Sequence, residues 1–362
     1  MKNLKMKNSY LASYSYLLVL LCGFFIGGSP IHAAEVVNVN TSVLYADLQI
    51  AIDAAQSGDV LELEGIFIGP FSIFSKSLTL RGAGGSGITS EPQTILDGGG
   101  SGPVLTILGE AANEVNFPTT VLLQNLNIQN GSAENGGGIL NVNAQTVLSH
   151  VFVINNIANS TGGGITNLLG SLLITEGSRI SNNIASNGGG INNYQGYLTI
   201  SFSEIKENHA TVSGGGLLSG GISSMVANNT ITNTAITGNT IFSTGGFLPI
   251  GGAGMYNGVG SNTQFFLCDI SNNQANKGDG AGIYNAAILS ITTSSLNGNY
   301  CVLGNGGGVY NARSGEASFR ASKITHNITK KKSGGGIYNN RGKLSIKKTI
   351  IKSNEPDNIR EV

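Results

Sequence analysis

Tryptophan is absent from this 362-residue chain, proline occurs 7 times, cysteine 3 times, and only 11% of the residues are charged. Scarce proline without a strict Gly-X-Y period excludes a collagen-like fibre, although 54 residues are glycine. The cysteines cannot build a disulfide framework. Cys22 lies in an apolar N-terminal stretch, and the other two, Cys268 and Cys301, occupy different places in the repeat described below. No Cys/His set has metal-ligand spacing. The runs "GGAGMYNGVG" and "GDGAGIYN" lack the regular aspartate of calcium-binding glycine repeats. Long apolar runs are missing too, except at the start. Lys2, Lys5 and Lys7 precede an apolar stretch, Leu17 to Ile26, and the small pair Ala33-Ala34, so residues 1–34 are expected to be a cleaved secretory signal. The mature chain is then expected to be exported to the periplasm, cell surface or medium, and not to span a membrane.

A hydrophobic share of 40% is enough for a core and excludes wholesale disorder. Formal net charge is zero but unevenly spread: residues 35–311 hold 5 Lys/Arg against 16 Asp/Glu, and residues 312–362 hold 12 against 4. A basic end of this kind steers toward anionic surfaces, or merely keeps an open sheet edge soluble.

The dominant feature is repetition. Eight copies of a triplet, GGG or GAG, begin at Gly136, Gly162, Gly188, Gly214, Gly252, Gly280, Gly306 and Gly334, mostly 26 to 28 residues apart, with one spacing of 38. An apolar residue follows each triplet, and two places later comes asparagine, except in the fourth copy, which has Ser219. A run such as Leu198-Thr199-Ile200 comes next, then apolar-x-x-Asn, which ends at Asn156, Asn183, Asn208, Asn239, Asn273, Asn299, Asn327 and Asn354. Period-two alternation in runs of three to five residues means short strands with one buried face. Several such strands per copy, always facing the same way, make one turn of a parallel β-helix. The glycines are expected at corners that need positive φ. The asparagines are expected to tolerate the left-handed region and to form a ladder of stacked amides.

With GGGI at 136, 162, 188 and 334, and I-x-x-N or L-x-x-N in place of F-x-x-N, the chain resembles the pectin lyase-like β-helix superfamily. More narrowly it resembles the repeats of chlamydial polymorphic outer membrane proteins. The resemblance covers residues 42–358 and implies an all-β fold, a single-stranded right-handed parallel β-helix of about twelve turns. It also implies a short N-terminal capping helix with Leu44, Leu48, Ile52 and Ala55 on one face, followed by roughly four irregular turns. The expected division is a signal over 1–34, a cap and irregular turns over 35–130, eight repeats over 131–354 and a tail over 355–362. Outer membrane members of that family end in a β-barrel. The ending "SNEPDNIREV" has no ~10-residue alternating strands after the repeats, so self-anchoring is not expected.

Many relatives of that superfamily cut acidic polysaccharides, which needs converging carboxylates, or calcium and a basic residue. Asp269 and Asp279 lie on different faces of one repeat; His150, His209 and His326 fall at unrelated repeat positions; Glu204 and Arg179 read as an ion pair across a sheet. No catalytic, metal or cofactor set emerges. Two candidate binding features do: an outward column of Tyr256, Tyr284, Tyr310 and Tyr338, and the cluster Lys330, Lys331 and Lys332. The expectation is a non-catalytic, adhesin-like surface scaffold whose partners are glycans, envelope components or a host surface, not nucleic acid. The alternative is a polysaccharide-binding or polysaccharide-degrading protein.

Overall fold

A computed structural model describes residues 34–83, 91–110, 118–222, 224–242 and 250–362. The segment expected to direct export lies, apart from Ala34, outside them. The described chain is a parallel β-solenoid with three sheets. A broad sheet receives two consecutive segments per turn, such as Ser171–Thr175 and Arg179–Ser181. A short sheet receives one, such as Ile184–Asn187, and after the glycine corner a third sheet receives another, such as Ile191–Tyr194. Pairing between successive turns is in register, so Ile139 lies beside Ile165 and Ile165 beside Ile191.

Alternation explains the core. In Ser171–Thr175 the residues Leu172 and Ile174 are buried while their neighbours are half-exposed, and the same holds for Leu198 and Ile200 one turn on. The apolar members of the apolar-x-x-Asn motif join them in a single column through Ile180, Ile205, Ile236 and Ile270, all fully buried. Because like stacks over like, one residue pattern repeated in sequence becomes one continuous core along the axis.

The glycine triplet serves two purposes. Its first member takes the left-handed conformation, as at Gly162 (φ +64°). The third excludes a side chain because neighbouring backbones approach closely, and the second is crowded in most copies but is filled by Ala253 and Ala281 in two of them. A Cβ on Gly163 would sit 2.4 Å from the Gly189 carbonyl oxygen, and one on Gly164 would sit 2.7 Å from that of Gly190. The corner before the short sheet also departs from expectation. The left-handed residue is the one preceding each ladder asparagine, for instance Asn182 (φ +55°), Glu207 (φ +55°) or Gly298 (φ +64°), and not the ladder asparagine itself. The ladder side chain must point inward, and the residue before it absorbs the turn.

Eleven strands stack in the third sheet, from Phe71–Phe74 to Ile359–Glu361, so there are ten turns between first and last where about twelve were expected. The difference arises at the N-terminal end. Leu78–Gly82, Thr94–Asp97 and Leu105–Leu108 belong to one turn, and the third-sheet strand advances from Phe71 to Leu105 and from Leu105 to Ile139. These early turns are longer than the later repeat, so fewer of them fit. At the other end, Ile359–Glu361 pairs with Ile337–Asn339, so residues 355–362, expected to be a tail, add a strand.

The N-terminal end of the core is closed by helix α1, Leu48–Ala54, which buries Leu48, Ala51 and Ile52. Asp47 starts it, its carboxylate accepting from the Ile50 amide at 2.8 Å. Leu44, expected on the helix face, is instead in the strand Val43–Tyr45 and is 61% exposed, because the Asp47 cap fixes the helix start beyond it. That strand and Glu35–Asn38 form an antiparallel hairpin laid on Val60–Glu64. Asp59 ties this cap together by accepting from Asn38 Nδ2 (2.7 Å) and the Gln56 amide (2.9 Å), and these bonds lower its pKa.

Candidate functional site

The polar interior is built from periodic amides. Each ladder asparagine places its Oδ1 against the preceding rung and its Nδ2 against the following one. Asn183 Nδ2 donates to Asn208 Oδ1 (3.0 Å), Asn239 to Asn273 (3.0 Å) and Asn299 to Asn327 (2.8 Å), and the series runs unbroken from Asn156 to Asn354. Each Oδ1 also takes a backbone amide, as when Asn239 N donates to Asn273 Oδ1 at 3.0 Å. Each Nδ2 also reaches a carbonyl, as Asn273 does at Ile236 O (2.9 Å). These side chains are completely occupied. They hold the solenoid together and have no capacity left for a ligand.

A second amide column follows the glycine triplets: Asn141 to Asn167 to Asn193, and Asn257 to Asn285 to Asn311 to Asn339, with contacts of 2.7 to 2.8 Å. The gap at Ser219 is closed from a neighbouring strand. Asn229, paired in register with the inward Leu198, accepts from Asn193 Nδ2 (2.9 Å) and donates to Ser219 Oγ (2.8 Å) and Thr263 Oγ1 (2.9 Å). Thr263 in turn donates to Asn257 Oδ1 (2.7 Å). The repeat reading missed this relay. Its sequence signal was polar Asn229 and Thr263 at positions where neighbouring copies carry leucine.

The candidate catalytic groups do not converge. Among the described residues no group of three or more His, Cys, Asp and Glu could hold a metal. Glu204 pairs with Arg179 (3.3 Å) across the broad sheet, and the Arg179 guanidinium lies 4.5 Å from the Phe152 ring centre. His209 hydrogen-bonds Thr240 Oγ1 (2.9 Å), His326 contacts Asn297, and His150 contacts Asn125, three separate surroundings. Cys268 and Cys301 are free and buried. Cys268 stands in a column of hydroxyls, its Sγ donating to Phe266 O as Ser294 Oγ donates to Thr292 O and Ser322 Oγ to Arg320 O. Burial pushes its thiol up to about 11 and that of Cys301 up to about 12, so neither is a nucleophile near neutral pH.

The four tyrosines do come together. Tyr256 and Tyr284 have ring centres 5.1 Å apart, Tyr284 and Tyr310 5.0 Å, and Tyr310 and Tyr338 5.4 Å, with planes within 19° of parallel. The rings therefore cover one another's faces, and Leu218 and Arg360 sit at the two ends in register. What the strip offers to solvent is ring edges and hydroxyls, not open faces on which a sugar would stack. Asn340 Nδ2 donates to the Tyr310 hydroxyl (2.8 Å). Burial raises the pKa of Tyr256, Tyr284 and Tyr310, so these three keep their hydroxyl protons at physiological pH.

Lys330, Lys331 and Lys332 are exposed at the corner leading into this sheet, and Lys332 is near enough to Asp279 to lower that group's pKa in part. Burial dominates there and raises it, while Asp279 Oδ1 accepts from the Asn305 amide at 2.6 Å. Of the remaining basic residues of the C-terminal turns, Lys343, Lys347 and Lys352 lie on the broad sheet, a different face, with Lys343 paired to Glu316. The two lysine sets share the last turns but not one surface. Of the two insertions in the long fourth copy, the first forms an exposed bend closed by an Ile222–Met225 bridge, and residues 243–249 of the second lie outside the described residues.

Among the described residues no helix is long and apolar enough to cross a membrane. In comparison with known proteins, no family model, curated protein or solved structure matches the chain.

Proposed function

We propose that this chain is an exported, non-catalytic β-helix scaffold of adhesin-like type that holds an anionic glycan against its C-terminal turns. The supporting observation is the tyrosine strip with exposed cations on both flanks: Lys330 to Lys332 before its strands, and Arg313 and Arg341 after them. A carboxyl close to the strip, Asp279, is occupied by Asn305. Hydroxyl edges between two lines of cations suit a chain of uronate or sulfated sugars, which presents hydroxyls and anions in alternation. Such contacts need no ring face.

The test is affinity electrophoresis of the protein in gels containing pectate or a sulfated glycan. Retardation is expected, falling about tenfold or more in the variant Lys330→Gln/Lys331→Gln/Lys332→Gln at low salt and vanishing near 0.5 M salt. The melting temperature of the variant should equal that of the parent, since these side chains are exposed. Equal retardation of parent and variant would refute the reading. Release of unsaturated or reducing ends from the same polysaccharides would replace it with the degrading alternative.

A further inference from the structure

The corner where the third sheet passes into the broad sheet carries an unusual line of side chains. In one turn it exposes Tyr194 and Tyr197, in the next Ile222 and Met225, then Val259 (66% exposed) and then Ile288 (51% exposed). These are consecutive rungs, since Tyr197 pairs with Asn228, Asn228 with Asn262 and Asn262 with Ile288. The described residues of the four corner segments, 194–197, 220–222 with 224–228, 258–262 and 286–288, include no charged residue. Single exposed apolar side chains are ordinary, but six on one edge are not. The same corner continues with Arg313 and then Arg341, because Ile288 pairs with Glu316 and Glu316 with Lys343, and those last two neutralise each other in an ion pair. With rungs about 4.8 Å apart, an apolar edge of about 15–20 Å is followed by two exposed arginines one rung apart.

We propose that this edge docks the protein on a bilayer surface containing anionic phospholipid. The shape favours a bilayer over a protein partner. The edge is convex, because the chain turns there through left-handed residues such as Gln195 (φ +55°), Gly260 (φ +73°) and Arg341 (φ +57°). Convex hydrocarbon tips need a deformable medium or a matching groove, and a headgroup layer is deformable along the whole line. Apolar insertion alone holds weakly, and neighbouring basic residues supply the second attraction through anionic headgroups. Tyrosine at the boundary suits the interface, with its ring in the acyl region and its hydroxyl among headgroups. The apolar part of this edge lies at a different corner from Lys330 to Lys332; Arg313 and Arg341 also flank the tyrosine strip, so the apolar triple variant below, which touches neither, is what separates this proposal from glycan binding.

The experiment is sedimentation of the full chain with sucrose-loaded vesicles of phosphatidylcholine containing about 30% phosphatidylserine, followed by amide exchange of the bound protein. Partition should fall about tenfold or more in Ile222→Ser/Met225→Ser/Val259→Ser. It should fall about fivefold for each of Arg313→Gln and Arg341→Gln, and that second effect should disappear in 0.5 M salt. Amides of Tyr194 to Tyr197 and Gly258 to Ser261 should gain protection on vesicles. All substituted side chains are exposed, so circular dichroism melts should match the parent. Wild-type binding without protection at those amides, or undiminished binding of the triple variant, would overturn the proposal by placing the contact elsewhere, for example in residues 1–33. No vesicle binding, together with a concentration-dependent dimer lost in the triple variant, would assign the edge to a second copy and also overturn it.

Discussion

Asn273 lies in the middle of the ladder with no exposed surface, and its replacement by alanine tests whether stacked amides hold this fold together. Its Oδ1 accepts from the amide and Nδ2 of Asn239 (both 3.0 Å), and its Nδ2 donates to Asn299 Oδ1 and Ile236 O (both 2.9 Å). Asn299 Oδ1 keeps the Asn273 backbone amide (3.1 Å), and Asn239 Nδ2 keeps Ile205 O. One buried group is then left bare, the Asn239 amide, while Ile236 O, which stays in the parallel ladder with the following strand, and Asn239 Nδ2 each lose a second partner. At about 1–3 kcal/mol for the orphaned amide and about 1 kcal/mol for each lost second bond, the cost is about 3–5 kcal/mol. The same change at Asn354, the last rung, bares the Asn327 amide in the same way, but beside a side chain that is itself 7% exposed, so that water can take the place of the lost amide, and a smaller cost of about 1–2 kcal/mol is expected. Urea unfolding followed by circular dichroism gives both values from the shift in midpoint at constant slope. If Asn273→Ala costs less than 1 kcal/mol, or no more than Asn354→Ala, the ladder is not a principal support and the reasoning fails.

Asn229→Leu alone should destabilise by about 2–4 kcal/mol, because Asn193 Nδ2 and Ser219 lose their partner, and Asn229→Leu/Ser219→Asn should recover most of that by returning an amide to the ladder position. Gly164→Ala should be strongly destabilising or prevent folding, since its Cβ would lie 2.7 Å from one carbonyl oxygen and 2.9 Å from Asn183 Nδ2, whereas Gly100→Ala (φ +74°, open space) should cost about 1–2 kcal/mol. Cys268 and Cys301 should stay unbridged and resist alkylation at pH 8 until denaturant is added, as mass spectrometry of the treated protein would show. Burial depresses the pKa of His209, so the fold favours its neutral form. Its stabilising contribution is complete above the ordinary value of about 6.5 and is lost as pH falls below it. Between pH 7.5 and 5 the melting temperature of the wild type should therefore drop more than that of His209→Gln, and equal drops would exclude His209 as the cause.

The repeated order of residue types determined the solenoid by itself. Period-two alternation sets which side chains face inward, and a constant repeat length brings like positions together, so the apolar column and the Asn156 to Asn354 ladder follow from local rules copied eight times. Tertiary structure decided whatever depends on what lies one turn away. The third glycine of each triplet is fixed by the neighbouring carbonyl, the turn count by long early turns, and the relay at Ser219 by Asn229 on another sheet. The tyrosine column was legible as a column, but the closure of its ring faces appears only once the 5 Å rung spacing puts ring on ring. The apolar corner was invisible in sequence because Tyr197, Met225, Val259 and Ile288 fall at different offsets in copies of different length. Register between turns, set by backbone pairing and not by residue type, stacks Tyr197, Asn228, Asn262 and Ile288, and Met225 and Val259 come to the same corner because each lies three residues before its turn's member of that stack.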